Sequence, residues 1–219
     1  MSVIDNYKKI IENIKLACNE VNRDYKTINV VAVSKKQNIK KIRALASVGH
    51  KSFGENRLEE TIEKWSNQDK KMVKLHFIGA LQSKKIKELV KTFDVIETLD
   101  TESSAKKLSI LKNKNFKIPE VFIQINIGEE PQKRGVYPYD FQDFLNMCKK
   151  KYNLKITGAM CMPPAEKNPR KYFESMYQLC KKENIENISM GMSNDYKEAI
   201  ICGATTVRIG SLIFGERGS

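Results

Sequence analysis

Short apolar segments alternate with amphipathic segments along nearly the whole chain. Between residues 3 and 21, apolar residues recur at helical spacing, which predicts an amphipathic helix at the N-terminus. Residues 28–33 then form an almost wholly apolar, β-branched run, as expected for a strand that is buried on both faces. The run ends at Ser34-Lys35, where the pattern becomes polar. The sequence thus begins with a helix followed by a buried strand.

The same alternation of strand and helix continues to the C-terminus. Further strands are predicted around residues 53–54 and at 73–78, 95–99, 121–127, 155–160, 188–190 and 206–209, and further helices at 39–48, 56–65, 83–90, 102–111, 139–150, 169–182 and 195–201. These are about eight β/α units with no linker between them, and their strands are apolar throughout, as in a parallel sheet covered by helices. We therefore predict a single α/β domain over residues 1–219, a (β/α)8 TIM barrel with an extra N-terminal helix.

An open, doubly wound sheet is the alternative architecture for such a pattern. It is disfavoured because no Gly-x-Gly-x-x-Gly follows the first strand and no Walker-type loop is present.

Composition narrows the classes of function. The 39 Lys and Arg residues exceed the 26 Asp and Glu residues, giving a net charge of +13, so an anionic ligand is expected. The excess consists of dispersed lysines without clustered arginines or interleaved aromatic residues, which makes nucleic-acid binding unexpected. Five cysteines without a Cys-x-x-Cys pair, and only two histidines, argue against a metal site and a disulfide scaffold. No signal peptide or membrane span is predicted, so we expect a cytoplasmic protein that does not bind membranes.

Candidate functional residues follow the apolar runs, because the carboxyl ends of the strands form the working face of a TIM barrel. They are Lys35 after the first strand, Asn56 after the second, Met192 and Ser193 after the seventh, and Arg208, Gly210 and Ser211 at the eighth. An amine at a largely apolar barrel mouth loses solvation when charged, which lowers its pKa and prepares Lys35 to attack a carbonyl. Ser193, Gly210 and Ser211 have the character of a phosphate-binding turn. Together these residues indicate a ligand that carries both an aldehyde and a phosphate.

Six short sequence motifs, taken in their order along the chain, resemble those of a known protein family. They are Val-Ala-Val-Ser-Lys ending at Lys35, Phe-Gly-Glu-Asn ending at Asn56, His-Phe-Ile-Gly ending at Gly79 and followed by Leu-Gln-Ser, Gln-Ile-Asn-Ile ending at Ile127, Gly-Met-Ser ending at Ser193, and Val-Arg-Ile-Gly ending at Gly210. The sequence resembles the pyridoxal phosphate homeostasis protein family, whose members are related to the N-terminal barrel domain of alanine racemase.

The resemblance implies a cofactor and a role for most of the candidate residues. Pyridoxal 5'-phosphate (PLP) would form a Schiff base with Lys35, and Ser193, Gly210 and Ser211 would hold its phosphate. Arg208 would face the pyridine nitrogen, and Asn56 would lie beside the cofactor. Met192 is a further cofactor-binding candidate from its residue type and position, as adaptable packing at the barrel mouth.

The resemblance also favours a carrier over an enzyme. An arginine at the pyridine nitrogen leaves that nitrogen unprotonated, which weakens the ring as an electron sink. In the racemase relatives, a tyrosine on an additional β-domain supplies the second acid/base group. We expect no such domain in this chain. We therefore expect a non-catalytic PLP-binding protein that contributes to vitamin B6 homeostasis, is monomeric, and has PLP-dependent apoenzymes as partners. A PLP-dependent amino-acid racemase or Schiff-base lyase is the first alternative, and a nucleic-acid binder is the second.

Overall fold

The computed structural model describes residues 2–165 and 168–215, and these form a closed eight-stranded parallel barrel. The strands in the described ranges are β1 (Asn29–Val33), β2 (Ser52–Glu55), β3 (Lys74–Phe77), β4 (Val95–Leu99), β5 (Glu120–Ile125), β6 (Ile156–Cys161), β7 (Asn187–Ser189) and β8 (Thr206–Ile209). Each strand pairs with the next one in the chain, and β8 closes the barrel on β1. The barrel prediction is confirmed, and the open sheet is excluded.

Helices cover the barrel between successive strands. In the described ranges they are α1 (Val3–Asn19), α2 (Ile39–Ser47), α3 (Leu58–Lys64), α4 (Asn67–Met72), α5 (Ile86–Thr92), α6 (Glu102–Asn113), α7 (Phe141–Asn146), α8 (Arg170–Lys182), α9 (Tyr196–Ile201) and α10 (Ser211–Phe214). The segment predicted as one helix over residues 139–150 is a 3-10 turn, α7 and a π-helical turn (Met147–Lys151) in series. None of the helices described here is both long enough and apolar enough to cross a membrane.

The N-terminal helix is firmly attached to the barrel. A capping box between Ser2 and Asp5 starts α1, whose buried face packs against α2, α9 and α10. The Tyr7 hydroxyl lies 3.1 Å from Nδ1 of His50, and Nε2 of His50 lies 2.7 Å from the Ser52 carbonyl at the start of β2. Burial lowers the pKa of His50 to about 4, so the ring is neutral at neutral pH and joins α1 to the sheet as a structural group.

The strands are buried on both sides, which explains their continuous apolar character. All five residues of β4 are buried, and Ile96 and Leu99 are inaccessible to solvent. Glu97 lies in the middle of this strand and is also fully buried. A charged residue at such a position must be compensated by polar partners inside the barrel.

Candidate functional site

Six of the seven candidate residues line one cavity at the carboxyl ends of the strands. The cavity has a volume of about 840 Å³, and the candidates on its wall are Lys35, Met192, Ser193, Arg208, Gly210 and Ser211. Apolar side chains, including Val33, Ile78 and Met160, form much of the remaining wall. A half-buried lysine, a buried arginine and two hydroxyl groups therefore face a common space.

Asn56 lies apart from this group. It lines a separate cavity of about 310 Å³ together with Arg57, Gln82 and Lys85. Its backbone packs tightly on the chain after β3, because a Cβ atom at Gly79 would lie only 2.1 Å from the Asn56 carbonyl oxygen. The structure thus places Asn56 beside the third strand end and not on the wall of the main cavity.

Strand register explains why residues from opposite ends of the chain meet. In the closed barrel, Val31 of β1 is opposite Arg208 of β8, so Lys35 and Gly210 leave neighbouring strands. Gly210 lies close to β1, since a Cβ atom added there would be 3.3 Å from the Cβ atom of Val33. The cavity is therefore bounded on one side by the junction between the first and last strands.

The turn after β7 depends on a glycine. Gly191 has a φ of +90°, and a Cβ atom at this position would lie 2.5 Å from the Cβ atom of Ala199. Its carbonyl accepts a hydrogen bond of 3.0 Å from the Arg208 N–H, and the N–H of Met192 donates to Asp195 at 2.6 Å. These bonds hold Met192 and Ser193 next to the end of β8.

Two serines form the polar end of the cavity. The Ser211 hydroxyl donates a hydrogen bond of 3.1 Å to the Ser193 hydroxyl. Ser211 begins the short helix α10, whose first N–H groups have no partner within the helix. Two neighbouring hydroxyl groups beside the N-terminus of a helix make a donor set suited to an anion such as a phosphate.

Arg208 is held by a buried chain of polar side chains across the barrel interior. Its guanidinium donates from Nη1 to Ser189 at 2.6 Å and from Nη2 to the Cys161 carbonyl at 2.7 Å. Ser189 donates in turn to Oε2 of Glu97 at 2.6 Å, and Oε1 of Glu97 accepts from Nδ1 of His76, also at 2.6 Å. These bonds use two of the five N–H donors of the guanidinium, which leaves donors for a ligand in the cavity that Arg208 lines.

Glu97 supplies the negative charge that balances Arg208. Burial by itself raises the pKa of Glu97, but His76, Arg208 and Ser189 outweigh that cost and hold the pKa below its ordinary value. The carboxylate is therefore ionised, and Nδ1 of His76 must carry a proton in order to bond to it. Nε2 of His76 is buried and has no hydrogen-bond partner among the described residues. His76 is thus a hydrogen-bonded group in the barrel interior.

Sequence reasoning did not identify Glu97 and Ser189 as part of the site. Both lie within strands instead of following them, at positions where the apolar pattern is briefly interrupted. Such an interruption in a strand buried on both faces is the signal that could have identified them. In the described ranges, no cluster of His, Cys, Asp or Glu side chains is arranged to hold a metal ion.

Comparison with known proteins identifies the family to which the chain belongs. Residues 6–218 match the family described as "Alanine racemase, N-terminal domain". The pyridoxal phosphate homeostasis protein of Haemophilus influenzae is 34% identical, over 99% of this chain and 97% of its own length, and that of Aquifex aeolicus is 33% identical over 99% of both. PipY from Synechococcus elongatus PCC7942, solved with PLP bound, is 28% identical and superposes with a TM-score of 0.78, covering 94% of this chain and all of PipY. The chain therefore belongs to the alanine racemase N-terminal domain family and, within it, to the pyridoxal phosphate homeostasis proteins.

Proposed function

We propose that this protein binds PLP at the barrel mouth, holds it covalently on Lys35, and acts as a carrier that helps to control the free concentration of the cofactor. The observation that carries the proposal is the single cavity shared by Lys35, Arg208 and the pair Ser193 and Ser211. The PLP-bound structure of PipY and the names of the curated relatives support the same ligand. Asn56 is retained as a residue near the cofactor on the resemblance alone.

The residues present fit the chemical groups of PLP. The two serine hydroxyls suit the phosphate, Arg208 suits the ring nitrogen as a hydrogen-bond donor, and the Lys35 amine suits the aldehyde. The cavity volume of about 840 Å³ lies within the range of about 300 to 1,000 Å³ that is usual for small-molecule sites. When bound, PLP supplies an aldehyde that condenses reversibly with an amine, and a ring that can accept electrons from a carbanion.

The environment of Arg208 favours a carrier over an enzyme. A guanidinium stays protonated in proteins, and the ionised Glu97 stabilises its charge further. Arg208 can therefore donate a hydrogen bond to the ring nitrogen but cannot give it a proton. A ring without that proton withdraws electrons poorly, which disfavours the chemistry of a racemase or a lyase.

Solvent exchange at the α-carbon of amino acids tests the carrier proposal. We expect wild-type protein loaded with PLP to exchange the α-proton of L-alanine no faster than free PLP does. A positioned acid/base group contributes about 10² to 10⁴ in rate, and the proposal predicts that this contribution is missing. The measurement is proton NMR in deuterated buffer with several L-amino acids. Exchange that is faster than with free PLP and disappears in Lys35→Ala would establish the racemase alternative.

The serine pair provides a test of the phosphate assignment. The double variant Ser193→Ala, Ser211→Ala should release PLP more readily, because hydrogen bonds to a charged group contribute about 1.5 to 3 kcal/mol each. Equilibrium dialysis should therefore show a loss of affinity of at least about tenfold. The fold should be retained, because Ser211 is exposed and Ser193 only half-buried. Ser47→Ala, at an exposed serine on α2, is the matched control, and equal affinity in the two variants would refute the assignment.

The proposal also includes the cellular location, the oligomeric state and the partners of the protein. Five buried cysteines, none of them in a disulfide, support a reducing compartment and hence the cytoplasm. We infer a monomeric single domain over residues 1–219 that passes PLP to PLP-dependent apoenzymes. Nucleic-acid binding is the remaining alternative, and strongly salt-dependent affinity for RNA or DNA that survives Lys35→Ala would favour it.

A further inference from the structure

A buried polar cluster beneath the barrel mouth holds the residues on both sides of Lys35. It consists of Glu55 at the end of β2 and Glu60 and Lys64 on α3, and we refer to it as the Glu55–Lys64–Glu60 cluster. The Lys64 ammonium lies 3.0 Å from Glu55 and 2.6 Å from Glu60. The Glu55 side chain is fully buried, and only 10% of the Lys64 side chain is exposed.

The cluster fixes Ser34, the residue before Lys35. The Ser34 hydroxyl donates to Glu55 at 2.7 Å, and the Ser34 carbonyl accepts from the Lys64 ammonium at 2.8 Å. The backbone N–H of Ser34 donates to the Gly54 carbonyl at 3.0 Å. The hydroxyl, carbonyl and N–H groups of Ser34 are thus all engaged.

The cluster also fixes Lys36, the residue after Lys35. Lys36 has a φ of +59°, in the left-handed region that side chains other than glycine rarely adopt. Its backbone N–H donates to Glu60, whose carboxylate also accepts from Lys64. Partial burial raises the pKa of Glu60, but the bonds from Lys64 and from the Lys36 N–H outweigh it, so the pKa lies below its ordinary value. An ionised Glu60 thereby holds an unusual turn in place.

Stability alone is a weak explanation for this arrangement. Burying the Glu55 carboxylate, the Lys64 ammonium and part of the Glu60 carboxylate carries a desolvation penalty, and apolar side chains of similar volume often stabilise a protein equally well or better. Glu55 also accepts a hydrogen bond of 3.1 Å from the Trp65 indole N–H, but the remaining side-chain hydrogen bonds between the cluster and its surroundings go to the two residues that flank Lys35. This pattern of hydrogen bonds indicates that the cluster fixes the backbone conformation around Lys35.

We propose that the Glu55–Lys64–Glu60 cluster is a positioning device that fixes the backbone on both sides of Lys35 and so presents its amine to the cavity. The inference rests on the proposed function, in which the Lys35 nitrogen adds to the aldehyde carbon of PLP and one water molecule leaves. Correct placement of the amine accelerates this addition, whereas the contacts to the phosphate and the ring are made by other strands. The cluster therefore acts on the rate of covalent capture and not on noncovalent binding.

Glu60→Gln tests the inference with two separate measurements. The first is affinity for pyridoxine 5'-phosphate, which has the ring and phosphate of PLP but no aldehyde. The second is the rate at which the visible absorption band of lysine-bound PLP develops after mixing. We expect the affinity to change by less than about twofold. The rate of capture should fall by about tenfold or more, because even a small misplacement of reacting groups slows a reaction strongly.

The experiment also includes control variants and one measurement on the cofactor-free protein. Glu59→Gln changes the neighbouring residue on α3, which forms an exposed ion pair with Lys85, and should leave both measurements unchanged. Lys64→Met should slow capture as Glu60→Gln does, and Lys64→Arg should restore part of the rate. In the cofactor-free protein, Glu60→Gln should also change the rate of Lys35 acetylation by acetic anhydride, mapped by mass spectrometry, because the backbone next to Lys35 is no longer held. Glu60 is only partly buried, so Glu60→Gln keeps the test possible if Lys64→Met fails to fold.

The outcomes separate the inference from the proposed function. If wild-type protein does not capture PLP on Lys35, the proposed function and the inference both fail. If wild-type protein captures PLP and Glu60→Gln does so at the same rate, only the inference is overturned. A parallel fall in capture and in affinity for pyridoxine 5'-phosphate would also overturn it, because the cluster would then support the whole site.

Discussion

Replacing Lys35 with alanine is expected to abolish covalent capture of PLP. Lys35 lines the cavity that contains Arg208 and the serine pair, and in the proposed function its amine reacts with the aldehyde of PLP bound there. Wild-type protein mixed with PLP should develop the visible band of a lysine-bound pyridoxal, and Lys35→Ala should not. Weak noncovalent binding should persist in the variant, since Ser193, Ser211 and Arg208 are unchanged.

Borohydride reduction followed by mass spectrometry identifies the reacting lysine. In wild-type protein the pyridoxyl label should be found on Lys35. Lys36→Ala is the matched control, because Lys36 is adjacent but exposed, and this variant should still be labelled at Lys35. A label found mainly on Lys36 or on any other lysine would contradict the assignment.

Removal of Glu97 is expected to have the largest effect on stability. Glu97→Ala takes the carboxylate from the chain that joins His76, Ser189 and Arg208, and leaves the guanidinium buried without its counter-charge. Breaking a buried ion pair on one side costs about 3 to 5 kcal/mol. For a protein of this size, such a loss lowers the melting temperature by about 10 °C.

Urea unfolding of matched variants measures this effect. Glu120→Gln removes an exposed carboxylate that pairs with Lys74 on the barrel surface, and it should change the free energy of unfolding by less than about 1 kcal/mol. The pKa of Glu97 is lowered in the folded state, so its contribution is present above its ordinary value of 4.5 and is lost as the pH falls through the folded-state pKa. Wild-type and Glu97→Ala proteins should therefore differ less in stability in acid than at neutral pH. An unchanged urea midpoint in Glu97→Ala would show that the buried chain does not stabilise the barrel.

The order and type of most elements follow from the sequence because their physical causes are local. Continuous apolar, β-branched runs predict buried strands, and the predicted bounds of β4 and β8 match the structure. Helix α4 was not predicted, since none of its residues is buried and it therefore has no apolar periodicity. The irregular end of the segment around α7 was also not predicted, because a π-helical turn has no simple pattern of residues.

The candidate site was predictable to the extent that the barrel topology was. Once eight β/α units are recognised, the residues that follow the strands are expected at one face, and Lys35, Ser193 and Ser211 do line one cavity. Asn56 follows its strand in the same way, but its backbone packs against Gly79 and it lines a different cavity. The order of residues along a strand does not specify which way the chain turns after the strand ends.

The sequence by itself determined most of the strand and helix order, the fold family and the identity of the reactive lysine candidate, since each depends on local patterns or short motifs. Tertiary structure alone decided which side chains meet. Closure of β8 on β1 brings Arg208 next to the strand that leads to Lys35, and the shared barrel interior joins Glu97 to Ser189, 92 residues away. The Glu55–Lys64–Glu60 cluster arises in the same way, from a strand end and a helix that converge on one turn. Such contacts depend on strand register and on the packing of distant segments, and neither is encoded in the periodicity of any single segment.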